Sequence, residues 1–236
     1  MLTALHSGYS DIEGLKFSLR RFYYLYWIAG KTLTAVKQTS FNLIGAIKDK
    51  KTLTEINTIL DEKIISDKII GSVNQNIYGN IYYEPWAKAL FLMIEYNHME
   101  ESFSTFYGID KHLQLEHILP QSFTSREEWN YFNKEIGQKL LHTAGNLTLL
   151  YSKKNIEAKN YSFDDKMQIY QGFGKDNNKK DGITSFRISQ KIVDDFCKGE
   201  FVQWTSEEIK DRGAWFITEI EEILKFELPK KIELQP

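Results

Sequence analysis

The residues with the clearest chemical potential lie in the segment 113–170. Glu116 and His117 are adjacent in the run LQLEHILPQSF, and Asn146 and Asn155 belong to the later run GNLTLLYSKKN. Hydrolysis of a phosphodiester needs a water, a base that takes its proton, and positive charge near the phosphate. Near pH 7 a neutral imidazole suits the base, and carboxylate and amide oxygens suit a hard divalent cation. Residues of these types could hold a metal ion through Glu116 and Asn155. His117 would act on the water, and Asn146 would fix the imidazole or its loop.

Further candidates surround these two motifs. Lys159, Asn160 and Lys166 are expected to contact phosphates, since such contacts position a nucleic acid without reading its sequence; solvated surface groups are the alternative. His142 lies on a helix-like stretch and would face either the same cleft or the solvent. Arg212 interrupts the apolar stripe of the last predicted helix, either as a functional arginine or as a stem that covers the core. On residue types alone, a structural histidine beside a glutamate is commoner than a catalytic one.

Two short strands and a helix must position these residues. The alternating run that Pro120 ends predicts a strand entering a loop. A second strand is predicted over 147–151, after a Gly-Asn turn, and a helix over about 153–159. Adjacent residues on a regular strand point to opposite faces. Glu116 and His117 are therefore expected to share a site only at a bulge or a strand end.

Most of the remaining chain is expected to be helical. Helices are predicted over 11–28, 32–47, 54–65 and 86–99 from the spacing of apolar residues. Capping boxes that start at Thr52 and Thr205 mark two helix starts. The segments 72–80 and 172–182 are rich in Asn and Gly and are predicted to be loops.

Composition narrows the class of protein. The chain has 236 residues, one cysteine and a net charge of −2. A single cysteine excludes an intrachain disulfide and a cysteine-based zinc site, and the net charge argues against a protein that coats nucleic acid. Residues 1–53 nevertheless carry eight Lys or Arg against three Asp or Glu, so a locally positive face is expected. With no apolar run of the ~18 residues that a membrane span needs and no signal-peptide pattern, we expect a cytoplasmic protein.

The motif around His117 resembles the Asp-His-Ile-x-Pro box of HNH nucleases, which have the ββα-metal fold. In that family the acidic residue binds the metal, the adjacent histidine is the base, and a later asparagine supports the histidine. An asparagine or histidine on the following helix completes the metal site. By resemblance these roles fall, in that order, on Glu116, His117, Asn146 and Asn155.

A more extensive resemblance, over about residues 84–226, is to the nuclease part of GmrSD-type modification-dependent restriction endonucleases. That family carries His-x-x-Pro and Gly-Asn-Leu-x-Leu-Leu boxes, two asparagines, a Phe-x-x-Lys element, and a tryptophan followed by an Ile-x-x-Arg step. The corresponding positions are His117 to Pro120, Gly145 to Leu150, Asn155, Asn160, Phe163 to Lys166, Trp204, Ile209 and Arg212. Two positions depart from the common HNH pattern. Glu116 stands where many boxes have Asp, and Asn155 stands in place of His, which favours magnesium or manganese over zinc.

These expectations combine into one prediction. The fold should be mainly α with a small β-hairpin, in which a ββα-metal (HNH) core at about 113–160 is embedded in a helical domain. Residues 1–83 are predicted to form a helical N-terminal region, and 84–236 the nuclease domain with its C-terminal helices. The resemblance implies a Mg2+- or Mn2+-dependent endonuclease that hydrolyses DNA, as the effector part of an anti-phage restriction system.

The expected partners and the alternatives follow from the same motifs. No nucleotide-binding motif is present, so an NTPase or modification-sensing domain or subunit is the expected partner. One alternative is a catalytically inactive HNH-fold module that binds DNA or another protein. The other is a helical interaction protein with no role in nucleic-acid chemistry.

Overall fold

The computed structural model describes residues 1–99, 106–158, 160–173 and 183–229, which are mainly helical with one small sheet. The helices are α1 Leu2–His6, α2 Ile12–Ile28, α3 Leu33–Lys48, α4 Leu53–Ser66, α5 Ile69–Ile77, α6 Ala87–Asn97, α7 Lys134–Leu140, α8 Ser152–Ala158, α9 Phe163–Tyr170, α10 Arg187–Cys197 and α11 Ser206–Leu224. The strands are β1 Leu113–His117 and β2 Leu147–Tyr151, which pair antiparallel. The predicted fold class, mainly α with a small two-stranded element, is confirmed. No described helix combines the length and apolar character that a membrane crossing needs.

The chain divides into two compact units. Of the described residues, the first unit contains 1–77 and 224–229, and the second contains those between 78 and 223. In the first unit, one difference from the sequence prediction is that α5 extends through the expected loop to Ile77. Val73 and Ile77 lie about one helical turn apart and are both buried. Burial of this apolar stripe outweighs the low helix propensity of the neighbouring Asn and Gly residues.

The second unit is built around the two strands and the helix that follows them. Leu113 pairs with Tyr151, and His117 pairs with Leu147. The connecting segment 118–146 therefore leaves and re-enters the sheet at the His117 end. Helix α8 begins directly after β2 and packs against both strands. The order strand, loop, strand, helix is thus a ββα arrangement in space.

Buried polar contacts tie this sheet to the helices around it. Ser189 Oγ on α10 donates to the Leu149 carbonyl at 2.7 Å and lies 2.8 Å from Thr148 Oγ1. The buried carboxylate of Glu95 on α6 accepts two backbone N–H groups at the start of α10. Because unpaired polar groups are costly in a protein interior, the Ser189 contacts fix β2 against α10, and the Glu95 contacts fix α6 against the start of α10.

Aromatic side chains fill much of the core of the second unit. Trp129, Phe163 and Trp204 are buried, and the stacked rings of Phe163 and Trp204 have centroids 5.5 Å apart. The Trp129 indole donates to the Tyr161 carbonyl at 2.9 Å. This packing joins the segment between the strands to α9 and to the start of α11, so the ββα element rests on a rigid base.

Candidate active site

A pocket of about 190 Å³ lies at the end of β1. Its lining residues are Tyr82, Leu115, Glu116, His117, Pro120, Gln121, Asn155 and Asn160. Four of the residues predicted from the sequence, Glu116, His117, Asn155 and Asn160, therefore meet in one place. Adjacent residues of a regular strand point to opposite faces, but His117 is the last residue of β1. The strand end thus allows it to share the pocket with Glu116.

The imidazole of His117 is buried and enclosed by polar and aromatic groups. Its Nε2 lies 2.9 Å from Nδ1 of His142, and its Nδ1 lies 3.4 Å from Nε2 of Gln121. The Tyr82 ring packs against it with a centroid distance of 4.2 Å. Burial lowers the pKa of His117 to about 3, and the charges of His142 and Lys166 act in the same direction. At pH 7 the imidazole is therefore neutral, which is the form that can accept a proton.

Glu116 and Lys166 form a buried ion pair. Lys166 Nζ donates to Glu116 Oε1 and to the His117 carbonyl, each at 2.6 Å, and its side chain is 1% exposed. Burial raises the pKa of the Glu116 carboxyl, and Lys166 opposes that effect. Burial lowers the pKa of the Lys166 ammonium, and Glu116 opposes it. The phosphate contact predicted for Lys166 is therefore corrected: an ammonium enclosed in the interior holds the end of β1 and does not face a substrate.

The two asparagines of the pocket lie within α8 and just after it. Asn155 is half-buried, and its Nδ2 donates to Gln114 Oε1 on β1 at 2.6 Å. That hydrogen bond orients the amide and leaves Oδ1 as its acceptor group. Asn160 is half-buried and lines the same pocket. Lys159, the third predicted phosphate contact, lies outside the described residues.

Asn146 lies behind the pocket and acts on its framework. The side chain is fully buried, and its Oδ1 accepts from the Leu119 amide at 2.7 Å and from the Trp204 indole at 3.1 Å. Its Nδ2 donates to the carbonyls of Leu119 and Leu141, at 3.0 and 2.8 Å. The prediction allowed Asn146 to fix either the imidazole of His117 or its loop. The contacts are with the loop.

Three residues around His117 carried a weak sequence signal or none. The sequence left open whether His142 faces the same cleft or the solvent. Its contact with His117 places it beside the pocket. Gln121 stands four residues after His117, within the same motif. Tyr82 is far from both motifs in sequence, and the loop that carries it is fixed because the Ile81 amide donates to the His142 carbonyl at 3.0 Å. Only the tertiary structure could reveal that contact.

Of the two alternatives for Arg212, the contacts favour a structural role. Its guanidinium packs over the Trp215 ring at 5.1 Å, and Nη2 donates to the carbonyls of Leu147 and Ile188, at 3.3 and 3.4 Å. It does not line the pocket at His117. Arg212 therefore connects α11 to the start of β2 and to α10.

The oxygen donors of the pocket fit a hard divalent cation. Glu116 supplies a carboxylate, and Asn155 and Asn160 supply amide oxygens. Within the described parts of the chain, no three His, Cys, Asp or Glu side chains come together as a metal site. Magnesium retains several waters and often uses only one or two carboxylates of a protein. Since Lys166 offsets the charge of Glu116, these donors fit a weakly held ion.

Fold and pocket together define a ββα protein with a polar site at the strand end. Residues 70–219 match the family model of GmrSD restriction endonucleases, C-terminal domain. The chain therefore belongs to this family, as its motifs predict. The matched range includes both strands, α8 and every residue that lines the pocket. Searches among curated proteins and among solved structures gave no match.

Proposed function

We propose that this chain is a metal-dependent endonuclease of the HNH type that hydrolyses DNA phosphodiester bonds. Membership of the restriction endonuclease family supports a nuclease, and the ββα arrangement supports the HNH type. The observation that carries the proposal is the composition of one pocket. It contains a neutral buried histidine, a carboxylate and two amide side chains, all at the junction of β1 and α8.

In the proposed reaction, His117 takes the proton of the attacking water at Nδ1. The water oxygen forms a bond to phosphorus, while the bond between phosphorus and the leaving oxygen breaks. The leaving oxygen keeps the bonding electron pair and takes a proton from solvent. The same burial that keeps His117 neutral also makes it a weak base. A phosphodiester anion in the pocket opposes this, because a nearby negative charge favours the protonated imidazole.

Glu116 and Asn155 would hold the divalent cation. When bound, such a cation makes water more acidic and offsets negative charge on the phosphate oxygens. Glu116 uses Oε1 for Lys166, and its carboxylate would be the charged group that faces the cation. Asn160, in the same pocket, is suited to a phosphate oxygen through its amide N–H groups.

We propose that DNA selection is supplied from outside this pocket. A single histidine, one weakly held cation and a few phosphate contacts carry no sequence information. The proposed context is an anti-phage restriction system in which this chain is the effector. An NTPase or modification-sensing domain or subunit would then decide which DNA is cut.

The second candidate is a catalytically inactive module with the same fold that binds DNA or another protein. The observation that favours it is the ion pair between Lys166 and Glu116, since a neutralised carboxylate binds a cation less strongly. The two candidates differ in a single outcome, namely whether the chain turns over DNA when a divalent cation is present.

A magnesium titration tests the proposal. We expect no cleavage in excess chelator, while the helical circular dichroism signal persists, because the core does not depend on the ion. Asn155→Ala should need at least about tenfold more magnesium for half-maximal cleavage, equivalent to ~1.4 kcal/mol of binding. Asn130→Ala, at an exposed position outside the pocket, is the matched control and should behave as wild type. Cleavage in chelator, or an unchanged magnesium requirement in Asn155→Ala, would contradict the proposed metal site.

A further inference from the structure

Two histidines that are distant in sequence form one hydrogen-bonded pair. His117 Nε2 and His142 Nδ1 are 2.9 Å apart, and the two ring centroids are 5.0 Å apart with an interplanar angle of 73°. His142 lies between α7 and the short 3-10 turn at residues 144–146. It is half-buried, whereas His117 is 5% exposed. The pair therefore reaches from the buried end of β1 toward the surface.

The neighbours of His117 decide which of its nitrogens carries the proton. Nδ1 lies 3.4 Å from Nε2 of Gln121, and an amide NH2 is a donor without acceptor capacity. This long contact favours the tautomer in which Nδ1 presents its lone pair and Nε2 carries the proton. The Nε2–H group points to Nδ1 of His142, which accepts. His142 correspondingly carries its own proton on Nε2.

The framework holds both imidazoles in this relation. The Tyr82 ring lies 4.2 Å from the His117 ring and is stacked on the His142 ring at 5.4 Å. Asn146 fixes the backbone just after His117 and just before His142 through its hydrogen bonds to Leu119 and Leu141. One buried side chain therefore sets the distance between the two segments that carry the histidines.

We propose that His142 is a positioning residue for His117: its Nδ1 accepts a hydrogen bond from the Nε2–H of His117 and so keeps the Nδ1 lone pair of His117 directed at the pocket. Its importance for cleavage rests on the proposed nuclease function, whereas the assignment of the tautomer does not. When His117 takes the proton of water at Nδ1, the ring becomes a cation and both nitrogens carry a proton. The hydrogen bond to His142 then becomes charge-assisted, which stabilises the cation in a buried site.

Two substitutions at position 142 separate this role from simple packing. In His142→Asn, Oδ1 stands the same number of bonds from Cα as the imidazole Nδ1 and can accept the same hydrogen bond. In His142→Ala the acceptor is absent. We expect His142→Ala to lower kcat for DNA cleavage by about 10- to 100-fold, as for groups that orient metal-bound histidines. The KM for DNA should change little, and His142→Asn should restore kcat to within a few fold of wild type.

Nitrogen-15 NMR of the histidine rings tests the tautomer directly, without any cleavage assay. Wild type and His142→Asn should show His117 protonated at Nε2, and His142→Ala should show a mixture of both tautomers. The inference is overturned if wild-type His117 carries its proton on Nδ1, or if His142→Ala changes neither tautomer nor kcat. Should His142→Ala fail to fold, the wild-type and His142→Asn spectra still decide the assignment. Absence of cleavage by wild type would overturn the proposed nuclease instead, and the spectra would be unaffected.

Discussion

Replacing Lys166 with methionine would leave the buried Glu116 carboxylate without its cation. Lys166 Nζ donates to Glu116 Oε1 and to the His117 carbonyl, each at 2.6 Å, and both side chains of the ion pair are less than 10% exposed. Removing one partner of a buried ion pair typically costs about 3–5 kcal/mol. A domain of this size has a total stability of roughly 5–15 kcal/mol. Lys166→Met should therefore lose a large part of its free energy of unfolding at pH 8.

The loss of unfolding free energy in Lys166→Met should be smaller in acid, because the Glu116 carboxyl then becomes protonated. Burial already raises the pKa of Glu116 above its ordinary value of 4.5, and loss of Lys166 removes the main opposing effect. A carboxyl with a raised pKa in the folded state destabilises the fold when it is charged. That penalty is full above the folded pKa and is relieved as the pH falls toward 4.5. Lys166→Met should thus lie closer to wild type at pH 5 than at pH 8.

Urea denaturation at both pH values measures this effect. The double variant Glu116→Gln with Lys166→Met removes the buried charge and should recover at least about half of the loss. Lys139→Met, on the exposed face of α7, is the matched control and should change stability by less than about 0.5 kcal/mol. A Lys166→Met variant within about 1 kcal/mol of wild type at pH 8, or a larger loss at pH 5, would refute the reasoning.

Three further predictions concern the framework and the substrate. In Asn146→Asp, an oxygen replaces the NH2 group that donates to two carbonyls. The free energy of unfolding in urea should fall by roughly 2–6 kcal/mol, at 1–3 kcal/mol for each unpaired group. A loss below 1 kcal/mol would show that these two hydrogen bonds do not hold the loop. In Gly145→Ala the new Cβ would overlap the Ile209 carbonyl oxygen and lie 2.8 Å from the Gly213 amide nitrogen. Gly145→Ala should lower the free energy of unfolding by about 3 kcal/mol or more. Gly45→Ala, whose new methyl group meets open space on α3, should raise it by about 0.5–1 kcal/mol. Equal effects of the two substitutions would show that residue 145 does not lie this close to the Ile209 backbone. On DNA of one sequence, this chain alone should cleave modified and unmodified forms with less than about tenfold preference, ~1.4 kcal/mol, and a larger ratio would place recognition within these residues.

The sequence predicts the position of the site better than the roles of its members. Glu116 and His117 could be assigned to a strand end because an alternating run stops at Pro120, and the structure has them there. Lys166 could not be recognised as buried, since its pairing with Glu116 joins residues on β1 and α9 that only the packing brings together.

Local propensity predicts the wrong structure where contacts between distant segments determine it. Segment 72–80 is rich in Asn and Gly and predicts a loop, but burial of Val73 and Ile77 extends α5 into it. Tyr82 reaches the pocket because its loop is hydrogen-bonded to the backbone of His142. No spacing of residues in the sequence indicates this hydrogen bond. Contacts between segments that are far apart in the chain cannot be predicted from the local patterns of a single sequence.

DNA cleavage by His117→Ala in the presence of magnesium is the most direct test of the central claim. Removal of a positioned general base should lower the rate by roughly 10²–10⁴-fold, in a variant whose circular dichroism spectrum shows that it is folded. His112→Ala, an exposed histidine outside the pocket, is the matched control and should cleave as wild type does. Cleavage by His117→Ala at the wild-type rate would contradict the assignment of His117 as the base, and with it the proposed active site.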